Sequence, residues 1–224
     1  MSRLADLRRR AKRIYHTEGL VSLLVHGLRS LQPVRYGTYW LYESDIAGQL
    51  SGQTEAECKP RIEGFTFIIL TSEEQAAELE AAGLRLGPQL DDARRALDKG
   101  AVALCIFVEG ELVHAALLAM NDESKRLLAP LPYRVDFANN EACTANAWTS
   151  PSYRRLRLQR YSAFKTLQFL NDRGIVTGRY ATAKGNVAPQ GGAARFGDRP
   201  YAEGRYLRVL WWESWREKPL TAKK

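Results

Sequence analysis

Cysteine, methionine and histidine are scarce in this chain, at three, two and three of 224 residues. The cysteines, Cys58, Cys105 and Cys143, are odd in number and lack metal-type spacing, and two of them sit inside apolar runs. That argues against a disulfide framework or a zinc site and for reduced core thiols in a cytoplasmic protein. No run approaches the roughly 18 continuous apolar residues that a spanning helix requires, so the chain is not expected to cross a membrane. The opening stretch MSRLADLRRRAKRIYHTEGL is basic but lacks the apolar block and small-residue cleavage site of a signal peptide. A Ser-His-Asp set, a metal-ligand cluster, an intact Walker loop and an internal repeat are all missing from the sequence, so no metal is expected.

What is present is an ordinary globular composition, 45% hydrophobic and 26% charged, with enough length for one large domain plus an added segment. Basic residues outnumber acidic ones 33 to 25, for a formal charge of +8, which favours an anionic partner: nucleic acid, phospholipid or a phosphorylated small molecule. In residues 3–15, Leu4, Leu7, Ala11 and Ile14 share one helical face while six Arg and Lys cover the rest. A second, more apolar helix follows Gly19 and ends before Pro33. Residues 1–35 are therefore expected to be a basic amphipathic helical extension, and residues 36–224 the main domain. Two readings of the extension are open: peripheral contact with an acidic membrane through residues 3–15, or a helix packed on its own domain with solvated charges.

Downstream, VRYGTYWLYESDI reads as a strand, AGQLSGQTEAE as a loop, and CKPRIEGFTFIIL as a stretch that ends in another strand. TSEEQAAELEAAGL is a helix capped by Thr71 or Ser72, and LDDARRALDKG a second short one. AVALCIFVEGELVHAALLAM is two apolar runs turning at Glu109-Gly110, a hairpin signal. Glu141 to Thr149 alternate as a strand. From Leu158 the residues Tyr161, Phe164, Leu167 and Leu170 recur at helical spacing until Asn171 to Gly174. IVTGRYATA is a strand, NVAPQGGAARFG a Gly-rich helix or loop, and YAEGRYLRVLWWESW the closing strands.

The stretch TSPSYRRLRLQR packs arginines between a strand and an apolar-faced helix. A helix start has backbone N–H groups without intrahelical partners and carries partial positive charge. With Arg154, Arg155, Arg157 and Arg160 around it, the start of this helix reads as a phosphate site. The alternative is that the arginines are merely solvated or pair with carboxylates elsewhere.

The order of elements resembles the Gcn5-related N-acetyltransferase (GNAT) superfamily, in which a V-x-P-x-[YF]-R-G-x-G-x-G type of turn leads into the helix that cradles the pyrophosphate of acetyl-CoA. Thr149, Pro151, Tyr153 and Arg154 stand at the corresponding places. Asn186 and Gly197 keep the family's distance of eleven residues, and LNDRGI is similar to its helix ending. The resemblance covers about Gly64 to Trp212. Arg155, Arg157 and Gln159 replace the glycines of the turn, and Ala193 stands where many relatives have a tyrosine acid.

The fold this resemblance implies is an α/β (α+β) one: a central mixed, mostly antiparallel sheet flanked by helices. The activity it implies is N-acyl transfer from acetyl-CoA, or another acyl-CoA, to a primary amine of a small molecule or peptide, by direct attack on the thioester. Trp148 and Thr149 at the strand end would offer a backbone N–H to the carbonyl. Arg154, Arg155, Arg157, Leu158 and Gln159 would surround the pyrophosphate, and Asn186 would hold the pantetheine arm. Glu141, opening the central strand, is the first choice of base and His114 on the neighbouring strand the second; Tyr180 and Tyr206 are acid candidates. Trp211, Trp212 and Trp215 either line an acceptor cleft or belong to core and surface. The competing reading is a non-catalytic protein of this fold that binds another anion or a protein. Nucleic-acid binding draws on charge alone, without a reading helix or aromatic platform, and is not expected.

Overall fold

Asp45 ends one element and starts the next. The computed structural model describes residues 34–91, 93–186 and 197–220. In it β1 (Val34–Asp45) hands over to α1 (Ile46–Ser51), where the Asp45 carboxylate accepts from the Gly48 N–H at 3.1 Å. α2 (Glu55–Cys58) opens with a capping box, Thr54 and Glu57 each bonding the other's backbone. The loop expected here is thus two short helices, because side-chain caps satisfy the orphan N–H groups that would otherwise disfavour a single turn.

β2 (Phe65–Leu70) leads through Ser72, whose hydroxyl accepts from the Gln75 N–H at 3.2 Å, into α3 (Glu73–Ala81). Two short helices follow, α4 (Gly87–Asp91) and α5 (Arg94–Leu97). β3 (Ala101–Val108) and β4 (Glu111–Ala119) form the expected hairpin. Its two turn residues, Glu109 and Gly110, both have left-handed φ, 51° and 79°, as a tight hairpin turn of primed type requires. α6 (Asp122–Leu128), capped by Asn121, has no forerunner in the sequence reading. β5 (Glu141–Thr149), α7 (Leu158–Asn171), β6 (Thr177–Ala183), β7 (Arg199–Val209) and β8 (Trp212–Pro219) complete the chain.

The strands form one sheet in the order β2-β3-β4-β5-β6-β1-β7-β8. β2, β3, β4 and β5 pair antiparallel in turn, as do β6 and β1, whereas β5 and β6 are parallel. The sheet is therefore mixed, mostly antiparallel and flanked by helices. β3 shows why it is buried on both sides. Ala101, Ala103, Cys105 and Phe107 pack with Leu86, Leu90 and Leu97 below α3 to α5. Val102 and Leu104 pack with Leu167 and Leu170 of α7, and Ile106 and Val108 with Leu158 and Tyr161. Alternate side chains face opposite layers, and each large one removed from water contributes about 1.5–3 kcal/mol.

Two compact units divide the chain. The larger holds 38–205 and the residues from 215 onward. In it Trp215 tilts against Tyr39 with ring centroids 6.3 Å apart and lies over Gly204, where a methyl group would overlap the indole. The smaller unit includes the described residues 34–37 and 206–214. There the Arg208 guanidinium donates to the Leu210 carbonyl at 3.0 Å and faces Glu213 at 3.7 Å, while Trp211 is 87% exposed. The helical extension expected over 1–35 lies outside the described residues, except that Val34 and Arg35 begin β1; so does most of NVAPQGGAARFG, with Ala193. No described helix is long and apolar enough to cross a membrane.

Candidate functional site

Parallel neighbours need a crossover, and α7 supplies it between β5 and β6. Their ladder is short: Glu141, Ala142 and Cys143 oppose Thr177, Gly178 and Arg179, and there it stops. The opposite edge of β5 stays paired with β4, but two residues, Ala145 and Asn146, stand opposite the single Leu117. This is a β-bulge, which bends the strand that carries it. Bent away from β6, the second half of β5 opens a cleft of about 420 Å³ between the two strands, with Ser162, Ala163 and Thr166 of α7 on its lining. Thr144, Ala145 and Ala147 on one side and Ala181 and Ala183 on the other keep it free of bulk.

At the open end, Ser150 donates its N–H to the Val113 carbonyl at 2.8 Å. Donors alternate along a strand, so the N–H of Thr149 turns to the other side, toward the opening. A short 3-10 turn, Pro151–Tyr153, and an extended Arg154 follow. Arg155 and Arg157 then adopt left-handed backbone, with φ of 67° and 64°, at two of the positions where the resemblance calls for glycine. The turn keeps a glycine-like path without glycine. A left-handed Arg157 followed by the right-handed Leu158 turns successive N–H groups to one side, an anion-binding concavity. Arg157 is the N-cap of α7 and makes no side-chain cap bond, which leaves the first-turn donors of the helix open. The turn is anchored by buried Leu158 and by the Leu156 carbonyl, which accepts from the Arg61 N–H at 2.9 Å. Arg154, Arg155 and Arg160 are exposed, and among the described residues none of them enters an ion pair; Arg157 reaches only the Glu57 carbonyl, at 3.4 Å.

The two candidate bases fare differently. Glu141 opens β5 as expected, but at the closed end of the strand pair, and it is not on the cleft lining. Arg179 binds both its oxygens, at 2.6 and 2.7 Å, and the Asp136 N–H donates at 2.8 Å. Burial acts to raise its pKa, yet these bonds hold it below the ordinary carboxylate value. Glu141 is thus an ion-pair partner linking β5 to β6 and stands off the cleft lining. His114 does line the cleft. It is fully buried, its Nδ1 lies 2.8 Å from the Thr149 hydroxyl, and its Nε2 has no partner. Burial lowers its pKa to about 4, so the ring is neutral at physiological pH.

Gln159 and Asn186 also border the cleft, the Asn186 N–H closing a turn onto the Ala183 carbonyl at 2.9 Å. Trp148 does not: its ring packs on the opposite face of the sheet with Leu86 and Leu97, so only its backbone belongs to the site. Trp211, Trp212, Trp215 and Tyr206 are absent from the described lining. The sequence reading missed Asp198, which lines the cleft beside Tyr180 and accepts hydrogen bonds from Ser44, Gln49 and Tyr180. It also missed the bulge. Neither has a local signature, because both depend on pairings between distant segments.

No protein-family model matches the sequence, and no curated protein matches it. Solved structures do. A GCN5-related N-acetyltransferase-like protein from Streptococcus suis matches with a TM-score of 0.50 and 15% identity over 89% of this chain and 69% of its own. A Drosophila protein matches with a TM-score of 0.52 and 14% identity over 84% and 55%. A GCN5-related N-acetyltransferase from Kribbella flavida follows with a TM-score of 0.45 and 17% identity over 86% and 64%. This chain thus spans between 55% and 69% of the lengths of those three. The likeness is one of fold: the chain has a GNAT-like fold.

Proposed function

We propose that the protein is an N-acyltransferase that moves an acetyl or other acyl group from a CoA thioester to a primary amine. One observation carries the reading: the free edge of β5, opened by the bulge, leads into an uncapped helix start ringed by arginines that have no carboxylate partners among the described residues. An unpaired strand edge accepts an extended chain bearing amide groups, and pantetheine is such a chain. The helix start and Arg154, Arg155 and Arg157 suit the diphosphate at its end.

In this reading the Thr149 N–H, turned toward the opening, polarises the thioester carbonyl and stabilises the oxyanion. The amine nitrogen attacks the carbonyl carbon, a C–N bond forms, and collapse of the tetrahedral intermediate breaks the C–S bond and releases the thiolate, which takes up the proton that the attacking nitrogen loses. Neutral His114, buried beside the cleft, holds Thr149 through its hydroxyl and so fixes the strand end that offers the Thr149 N–H.

Calorimetric titration with acetyl-CoA tests the proposal. Binding should weaken as salt rises from about 0.05 to about 0.5 M, where charges are screened over shorter distances. It should weaken by about tenfold or more in Arg154→Ala/Arg157→Ala, which removes two charge-assisted contacts. A wild-type protein that binds no CoA thioester rejects the proposal.

A further inference from the structure

The cleft has an unusual charge balance. Among the described residues that line it, Asp198 is the single one with a charged side chain, since His114 is neutral. One carboxylate oxygen accepts from the Ser44 hydroxyl and from the Gln49 amide at 2.7 Å, and the other accepts from the Tyr180 hydroxyl at 2.6 Å. All three donors are neutral, and among the described residues no Lys, Arg or His forms an ion pair with Asp198. A carboxylate offers about four lone-pair directions; three are filled, which leaves one for a ligand. Tyr180, stacked on Tyr42 at 5.0 Å, fixes the group in place. The hydroxyl pKa values of both tyrosines are pushed up, first by burial and then by the Asp198 charge.

A negative charge facing an otherwise neutral, largely apolar cleft is stabilised when a cation enters. The same charge stabilises an ammonium group in its protonated form, and a protonated nitrogen has no lone pair with which to attack a thioester. The nitrogen that Asp198 holds is therefore not the one that is acylated.

We propose that Asp198 is an anchor for a distal ammonium group, so that the acceptor is an alkyl diamine or polyamine, held at one nitrogen and acylated at another. The inference rests on the acyltransferase reading for its second half; the cation site stands on Asp198 alone. A substrate carboxylate at this position would meet Asp198, and no cationic side chain among the described lining residues would receive it.

The experiment titrates the full chain by calorimetry with three probes of equal length: cadaverine, pentylamine and 1,5-pentanediol, which carry two, one and no ammonium groups. Acetyl-CoA binding and acyl transfer are measured in parallel. Cadaverine and pentylamine should each bind at least about tenfold tighter than pentanediol, as a charge-assisted contact implies. Acyl transfer should favour cadaverine over pentylamine by at least about tenfold, because the single nitrogen of pentylamine cannot be held at Asp198 and acylated at once. Asp198→Asn should erase both preferences while leaving acetyl-CoA affinity unchanged. Should that variant fail to fold, the comparison of probes on the unaltered protein decides the matter by itself. Pentanediol binding as tightly as the amines, or no binding of either amine, overturns the anchor, whatever acetyl-CoA does, and equal acylation of cadaverine and pentylamine overturns the diamine acceptor. Conversely, Asp198-dependent cadaverine binding without any acetyl-CoA binding upholds the cation site and removes the acyltransferase reading.

Discussion

Arg155→Gly should stabilise the protein while weakening its hold on an acyl-CoA. Arg155 has φ of 67°, where a side chain costs about 1–2 kcal/mol. Glycine removes that strain but frees the unfolded chain by about 0.5–1 kcal/mol, so the net gain lies between about 0 and 1.5 kcal/mol, centred on about 0.75 kcal/mol. For a chain of this size the central value corresponds to a rise of about 1.5–3 °C in Tm. Its neighbour is the control. Arg154 is equally exposed and carries the same charge, but its backbone is extended, φ −67° and ψ 156°, so Arg154→Gly loses about 0.5–1 kcal/mol with no strain to relieve. Both variants remove one positive charge from the cluster, so the opposite signs of their Tm shifts isolate the backbone contribution. Thermal unfolding followed by circular dichroism reads the difference, and calorimetry reads the loss of acetyl-CoA affinity. If the two variants shift Tm in the same direction by the same amount, the left-handed turn does not exist in solution, and the account of how this chain keeps a phosphate turn without glycine is wrong.

Glu141→Gln should cost about 2 kcal/mol by leaving the half-buried Arg179 without its bidentate partner, yet leave kcat within about threefold, since Glu141 lies off the cleft; a loss of turnover well beyond the loss of folded protein would restore it as the base. Because the folded pKa of Glu141 lies below its unfolded value, the stability it lends is present above about pH 4.3 and disappears as pH falls through the folded value. His114 acts in a higher window. With its pKa lowered from 6.5 to about 4, the unfolded chain takes up a proton below pH 6.5 that the folded chain refuses, so stability should drop by about 2 kcal/mol between pH 7 and pH 5. His114→Gln, which does not titrate, should flatten that part of a urea-unfolding series, and an unchanged slope would contradict the burial of the ring. Gly204→Ala should destabilise by about 1–3 kcal/mol, because its methyl overlaps the Trp215 ring; an unchanged urea midpoint would show that the indole does not occupy that seat.

What could be read from the sequence was what the chain decides locally. β3 and the Glu109-Gly110 hairpin follow from apolar runs and a turn, and α7 follows from the spacing of Tyr161, Phe164, Leu167 and Leu170. The arginine turn was recognisable because strand, proline and helix lie within twenty residues. Its conformation was not, since nothing in the letters says that Arg155 and Arg157 accept a backbone glycine would take without strain. Glu141 was legible as a strand start, but its partner Arg179 is brought beside it only by the parallel pairing of β5 with β6. Asp198 bonds Ser44 and Gln49, 154 and 149 positions away, and no window of sequence contains such a contact. The bulge is a mismatch of register between two strands, visible only when both are paired. Cap-driven helices α1 and α2 were local features and still escaped notice, because a Gln- and Gly-containing stretch looks like a loop until Asp45 and Thr54 are recognised as caps.

The most direct test of the central claim is a crystal structure of the protein with acetyl-CoA. The diphosphate should lie within hydrogen-bonding distance of the backbone N–H groups from Arg155 to Arg160, with pantetheine along the free edge of β5 and the thioester carbonyl at the Thr149 N–H. A CoA bound elsewhere on the protein, with the arginine side chains folded over the start of α7, would contradict it.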